Sequence, residues 1–494
     1  MAKGSYDVIV IGAGFGGSSS AALLAKRGLK VLLLEKNAKA GGKAMAISKK
    51  GFTYTAWVVI TAPIQDNSFE VVLKELGMED RVELVAPDAS GGTIFKNAKG
   101  KYIPMPAMPA DAEVMDPTII FDWLDIPEEE RMAALGAMTE ITLMAPQAIA
   151  ELDDISFHEF LSRYNLPTNA YAFLVSAIAD PCFVAPADAV AASEAIQTLQ
   201  TIFLRSGGLF CKGGIGRVAE TYAQAVEENG GKVVMRARVQ KIIVENGKVA
   251  GVVTDKGRFD APIVISNAGI QPTVLKLVGE EHFDRSYVNY VNDLVPSWGL
   301  PGVRYFLNKK VVKSPFGNII SGDSHWSLDR INRAAAGEIP KDIGILYEVP
   351  SNYDPDAAPK GKQVVLAASW SPADPQMTAR EKKMWWDKID EIMFNVFPDL
   401  PKHIESKEYY SSRDVSVLTR DQVLPGQGGE CIGLGQVVGQ VGGKKPSIKA
   451  PIQGLFYVGC DAGGWGVGTQ QAVSSGIAVA GAVRKYHLMH KALE

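Results

Sequence analysis

The stretch "YDVIVIGAGFGGSSSAALLAKRGLKVLLLEK", residues 6–36, decides the fold. Tyr6 to Ile11 form a short apolar, β-branched run suited to a buried parallel strand, and from Ser18 to Lys26 the chain changes to a helical mixture of alanine, leucine and lysine. Between them Gly12, Gly14 and Gly17 stand in GxGxxG spacing. The first glycine permits a tight turn, the second lets a pyrophosphate approach the backbone, and the third lets helix and strand pack closely. The start of the helix then offers unpaired N–H groups and a partial positive charge to phosphates. Val31 to Leu34 make a second buried strand that ends at Glu35, about 20 residues past the loop, where a carboxylate can accept both ribose hydroxyls. Strand, turn, helix, strand and terminal acid coincide, so the segment is read as a dinucleotide site. Glu35 would repel a 2′-phosphate, which disfavours NADP and leaves NAD or FAD.

The 494 residues suffice for two or three compact domains, with 47% hydrophobic residues to fill their cores. A net charge of −4 and the lack of a basic stretch argue against a nucleic-acid partner. Cys182, Cys211, Cys431 and Cys460 are scattered without CxxC pairing, so neither a disulfide framework nor a metal site is expected. The amino terminus runs straight into a strand, and no apolar run reaches the roughly 18 residues of a spanning helix. A cytoplasmic setting, with at most peripheral membrane contact, follows as the expectation.

Residues 35–57, "EKNAKAGGKAMAISKKGFTYTAW", bring Gly41, Gly42 and Lys43 just past the ribose acid, where a cation can meet a pyrophosphate from its other side. This resembles the amine oxidase and phytoene desaturase superfamily of flavoproteins, which carry GGR here; Lys43 keeps the charge without the bidentate fork. Tyr54, Thr55, Ala56 and Trp57 stand where those relatives continue with an FDxG-like element. Residues 211–268 look like the family's second flavin-domain segment: a GG turn, a helix, a β-meander and a strand closing in Ser-Asn-Ala. Independently of that likeness, Asn246-Gly247 between apolar alternating runs is a hairpin signal, and Val233 to Val239 read as the strand before it. The resemblance gives Val239 a main-chain contact with adenine.

"LFYVGCDAGGWGVGTQQAVSSG", residues 455–476, matches the family's closing pattern. Leu455 to Val458 are a buried strand, Asp461 is suited to bond a ribityl or phosphate group, and Gly463, Gly464, Gly466 and Gly468 let the last helix begin against the flavin ring. The resemblance therefore implies FAD and an α/β fold. It comprises a discontinuous Rossmann-like FAD domain of glutathione-reductase type (1–61, 206–289, 446–494) and an inserted mixed α+β substrate domain (62–205, 290–445). "GLGQVVGQVGG" from Gly433 mimics a second nucleotide loop but lacks both strand and helix, so no built-in NAD(P)H site is expected.

Residues 62–205 are largely helical by pattern, with starts at Pro127 and at the Ser156–Glu159 box. Residues 290–445 mix strands at 344–349 and 363–369 with a helix from Thr378 to Phe397. With "GGECIGLGQ" at 428–436, the likeness to desaturases and carotenoid isomerases implies chemistry on a C=C bond of a hydrophobic, terpenoid or alicyclic substrate. An external acceptor, whether quinone, oxygen or an electron-transfer protein, would receive the electrons. Trp57 and Trp465 are the candidate substrate-cavity residues. No catalytic residue is assigned: Arg413-Asp414 reads as a surface pair or turn, and the six histidines form no constellation. A flavin amine oxidase, a reduced-flavin saturase or isomerase, and a prenyl or lipid escort protein are the alternatives.

Overall fold

The computed structural model describes residues 6–61, 67–107, 117–204, 208–420 and 422–491. Short runs of Val, Leu and Ile with no alternating polar residues need cover on both faces, and they form a five-stranded parallel sheet. In spatial order its strands are Leu455–Tyr457, Val264–Ser266, Val8–Ile11 (β1), Val31–Leu34 (β2) and Lys232–Val234. Three distant parts of the chain thus share one sheet.

Alternate residues serve opposite faces. Val8, Val10, Val31 and Leu33 pack against the helices Phe15–Lys26 (α1), Gly216–Glu228 and Gly468–Lys491. Ile9, Ile11, Leu32 and Leu34 pack against a three-stranded antiparallel sheet, Val239–Glu245, Lys248–Thr254 and Gly257–Asp260. Its hairpin turns through Asn246 and Gly247, both at positive φ (51° and 74°), as a type I′ turn demands.

One expected strand is two. The run Val233 to Val239 breaks at Arg236, whose φ is 54°, because Arg236 N–H donates to Asn37 O and Ala237 N–H to Glu35 O. The backbone around Glu35 captures the segment and redirects it, so that Val239 starts the next sheet instead of ending the first.

The second large sheet has seven strands in the order Ile404–Tyr410, Gly302–Leu307, Gln363–Ala368, Ile345–Glu348, Phe316–Ser321, Ile94–Lys96 and Tyr102–Pro104. Helix Ala379–Val396, opened by a complete Thr378–Glu381 capping box, packs on it through Trp385, Ile389 and Met393. Helices between residues 117 and 204 form a separate core with Phe157, Phe160, Ile196 and Leu199 buried. The stretch expected to be largely helical also contributes strand Ile94–Lys96, which runs parallel to Ile319–Ser321. That pairing partner lies more than 200 residues away, beyond the reach of local pattern. The expected domain limits at 62 and at 205–206 lie outside the described residues. No described helix is long and apolar enough to cross a membrane.

Candidate functional site

The Gly12–Gly17 loop leaves β1 and enters α1. Gly12 has φ 90° and donates its N–H to Leu34 O at 2.7 Å. A Cβ on Gly17 would stand 1.9 Å from Gly12 O, so only glycine lets the helix lie this close to the strand. Gly14 caps α1, and a Cβ on the facing Gly42 would lie 3.1 Å from Gly14 Cα. Two glycine turns therefore face each other across a cradle lined by bare backbone. The first N–H groups of α1 open into it without i−4 carbonyls of their own.

Glu35 closes one end. Its Oε2 accepts from Ala13 N–H and its Oε1 from Asn37 N–H, both at 2.7 Å. Burial raises its pKa, with the two backbone donors working against that shift. Each oxygen keeps a further lone pair for a ribose hydroxyl.

Lys43 sits inside a buried set of charges that motif reasoning missed. Its Nζ donates to Glu430 O; Arg420 Nε lies 2.8 Å from Glu430 Oε1, and Arg420 Nη1 lies 3.3 Å from Asp461 Oδ2. Two cations and two carboxylates balance. Burial drives the Lys43 pKa down, against the pull of Glu430. Burial works to raise Glu430, but Arg420 and Lys43 outweigh it and hold that carboxyl below its ordinary value. Arg420 follows a short helix and carries no sequence signature; only the fold brings it to Asp461, 41 residues later.

Asp461 departs in part from its expected role. Its oxygens accept from Ile270 N–H at 2.9 Å and Leu434 N–H at 3.0 Å as well as pairing with Arg420. A carboxylate has only acceptors and offers nothing to a phosphate, so this side chain braces three loops, with each oxygen taking a backbone N–H and facing Arg420. The Gly433 segment, which is held at Leu434, carries neither strand nor helix and is no second nucleotide loop.

One cavity of about 910 Å³ joins these pieces. Gly12, Gly14, Glu35, Gly42, Lys43, Val239, Asp461 and Gly466 line its nucleotide side, while Gly17 packs behind it. The same cavity has apolar walls at Trp57, Ile120, Phe173, Leu300, Phe316 and Trp370, which make up its chamber. Trp57 is buried, and Trp465 lies at the margin, 52% exposed. Gly466, at φ 89°, directs the chain toward helix Gly468–Lys491, and its carbonyl accepts from Gln436 Nε2 at 2.6 Å.

No histidine lines this cavity among the described residues. Cys182, Cys431 and Cys460 do, and burial pushes their thiols up to about 12, 11 and 12, away from thiolate chemistry. Arg413-Asp414 is a helix start, with Asp414 completing a capping box on Ser411. A further carboxylate, Glu348, lies buried behind the wall and accepts from Tyr353 Oη at 2.7 Å, Val59 N–H at 3.2 Å and Thr55 Oγ1 at 3.3 Å. It pins the 55–59 segment that carries Trp57.

The architecture has solved counterparts. An oxidoreductase from Methanosarcina mazei superposes with a TM-score of 0.69 at 20% identity, covering 96% of this chain and 99% of that one. In sequence the chain is 22% identical to all-trans-retinol 13,14-reductase of Homo sapiens, over 92% of this chain and 82% of that protein. It is 24% identical to the chloroplastic prolycopene isomerase of Arabidopsis thaliana, over 92% and 78% respectively. A 26% match to the inactive all-trans-retinol 13,14-reductase of Danio rerio spans 53% of that protein's length. Residues 15–484 match the family described as flavin containing amine oxidoreductase; the cofactor is FAD, and the chain belongs to that family.

Proposed function

We propose that the protein is an FAD-dependent oxidoreductase acting on carbon–carbon bonds of a hydrophobic substrate of terpenoid or alicyclic type, in the manner of a desaturase. The observation that carries this reading is the continuity of the cavity: the nucleotide cradle opens directly into a chamber walled by Trp57, Phe173, Phe316 and Trp370. The names of the retinol reductase and prolycopene isomerase relatives point to the same substrate class.

Bound FAD supplies a ring that exchanges hydride with carbon. The chain's own residues do the rest. The α1 amino terminus and Lys43 would hold the diphosphate, Glu35 the ribose, and the Val239 main chain the adenine. The first turn of helix Gly468–Lys491 lines the same cavity at Gly468, Thr469 and Gln470, so its amino-terminal dipole would favour negative charge on the bound cofactor. The aromatic walls hold the substrate and exclude water, which fixes pose without charge.

A lipid escort role needs no nucleotide cradle, whereas here Gly14, Glu35 and Val239 converge on the same cavity. A flavin amine oxidase would share the cradle and is separated by assay. Purified protein should be yellow, and the flavin should exchange reducing equivalents with polyene or terpenoid substrates, in either redox direction, and not with primary amines. Testing oxidised and pre-reduced flavin anaerobically covers desaturation, saturation and isomerisation. Turnover of amines alone would refute the reading.

A further inference from the structure

The chamber is not apolar on every side. Helix Ala192–Leu204 turns Ala195, Ile196 and Leu199 into the helical core, where each is fully buried. Its opposite face, Glu194, Gln197, Thr198 and Thr201, lines the cavity. The spacing i, i+3, i+4, i+7 is that of one helical stripe. A polar stripe facing an apolar chamber is the reverse of what packing alone selects.

Two of these groups have acceptor capacity left over. Glu194 makes no hydrogen bond or ion pair among the described residues, although it is half-buried. Thr201 Oγ1 donates to Gln197 O at 3.1 Å, which uses its hydrogen and leaves its lone pairs. The stripe also begins beside the glycine turn of the cofactor site: Ala191 N–H donates to Gln436 O, and the Gln436 amide reaches Gly466 O.

We propose that this stripe is a binding subsite for a hydroxyl group carried by an otherwise apolar substrate, with Glu194 as its acceptor. The inference rests on the hydrophobic-substrate reading above and deepens it. A hydroxyl supplies the one donor that Glu194 lacks, and it does so without bringing charge. An ammonium would also donate, but it would have to give up its hydration inside a cavity whose other walls are largely apolar, so the alcohol is proposed and the amine is an outcome of the test. The remaining chamber wall takes the hydrocarbon.

The test uses the FAD-loaded protein and three probes with one hydrocarbon chain: farnesol, its methyl ether and farnesylamine. Binding is read from the perturbation of the flavin spectrum and from tryptophan fluorescence, with no turnover required. Farnesol should bind about tenfold more tightly than the ether, the difference expected for one hydrogen bond to a charged acceptor. Glu194→Leu should reduce that preference to about twofold, whereas Thr201→Val, two helical turns further on, should leave it in place, with FAD content unchanged in both. Equal binding of alcohol and ether, or a preference that survives Glu194→Leu or is lost in Thr201→Val, would overturn the subsite while leaving the chamber reading intact. Tightest binding by the amine, abolished by Glu194→Leu, would overturn the hydroxyl assignment. Failure of all three probes to bind would overturn the chamber reading and the subsite with it.

Discussion

Removing Arg420 tests whether the buried charge set at the cofactor site acts as a unit. The guanidinium lies 2.8 Å from Glu430 and 3.3 Å from Asp461, with side-chain exposures of 6%, 1% and 6% for the three residues. At these distances and an effective dielectric of about 20, each attraction is worth about 5–6 kcal/mol gross. Desolvation of the ions offsets much of that, so the gross figure is not the stability at stake. Arg420→Met leaves one cation, Lys43, against two buried carboxylates. Breaking a buried pair in this way costs about 3–5 kcal/mol. Arg420→Met combined with Glu430→Gln restores one charge of each sign, and should be less destabilised than Arg420→Met alone, with a coupling energy of at least about 1 kcal/mol.

Urea unfolding at neutral pH, with the FAD dissociation constant of each variant measured so that cofactor linkage is subtracted, compares both variants. The pH dependence gives a second handle. Because the folded pKa of Glu430 is depressed from 4.5, its contribution is fully present above that ordinary value and is lost as pH falls through the lower folded value. A loss below about 1 kcal/mol for Arg420→Met, or exact additivity in the double variant, would refute the reasoning.

Gly17→Ala should prevent FAD retention, since its Cβ meets Gly12 O at 1.9 Å, and the protein should purify colourless. Glu35→Ala removes an acceptor from two buried N–H groups as well as the ribose contact, so the FAD dissociation constant, measured by ultrafiltration, should rise at least about tenfold. Burial raises the Glu348 carboxyl from 4.5 to about 7, so the folded state binds the proton more tightly than the unfolded state. Stability should therefore fall as pH rises from 4.5 to 7, by about 3 kcal/mol, and urea midpoints of Glu348→Gln should lose that slope.

The dinucleotide half of the site was legible in the sequence because its physics is local. A strand, a glycine turn and a helix start lie within 30 consecutive residues, Gly12 and Gly17 occupy the places that the turn and the close approach demand, and Glu35 stands beside the turn, bonded to Ala13 N–H. The closing glycines and Val239 were legible through a family resemblance, since nothing in their own neighbourhood links them to β1. Arg420, Glu430 and Glu348 were not legible. A buried ion pair is made by groups that no repeat or helical spacing links, even the 10 residues between Arg420 and Glu430, and either member alone reads as a surface charge. The polar face of helix Ala192–Leu204 was equally silent, because periodicity reveals which residues share a stripe and not whether that stripe faces water or a chamber. By itself the sequence determined the strand that binds a nucleotide and the cofactor's class. The tertiary structure alone decided where the charges neutralise one another, how the chain breaks at Arg236, and which walls surround the cavity, since all of these depend on contacts between segments that no local pattern links, from 10 residues apart for Arg420 and Glu430 to 387 for Lys43 and Glu430.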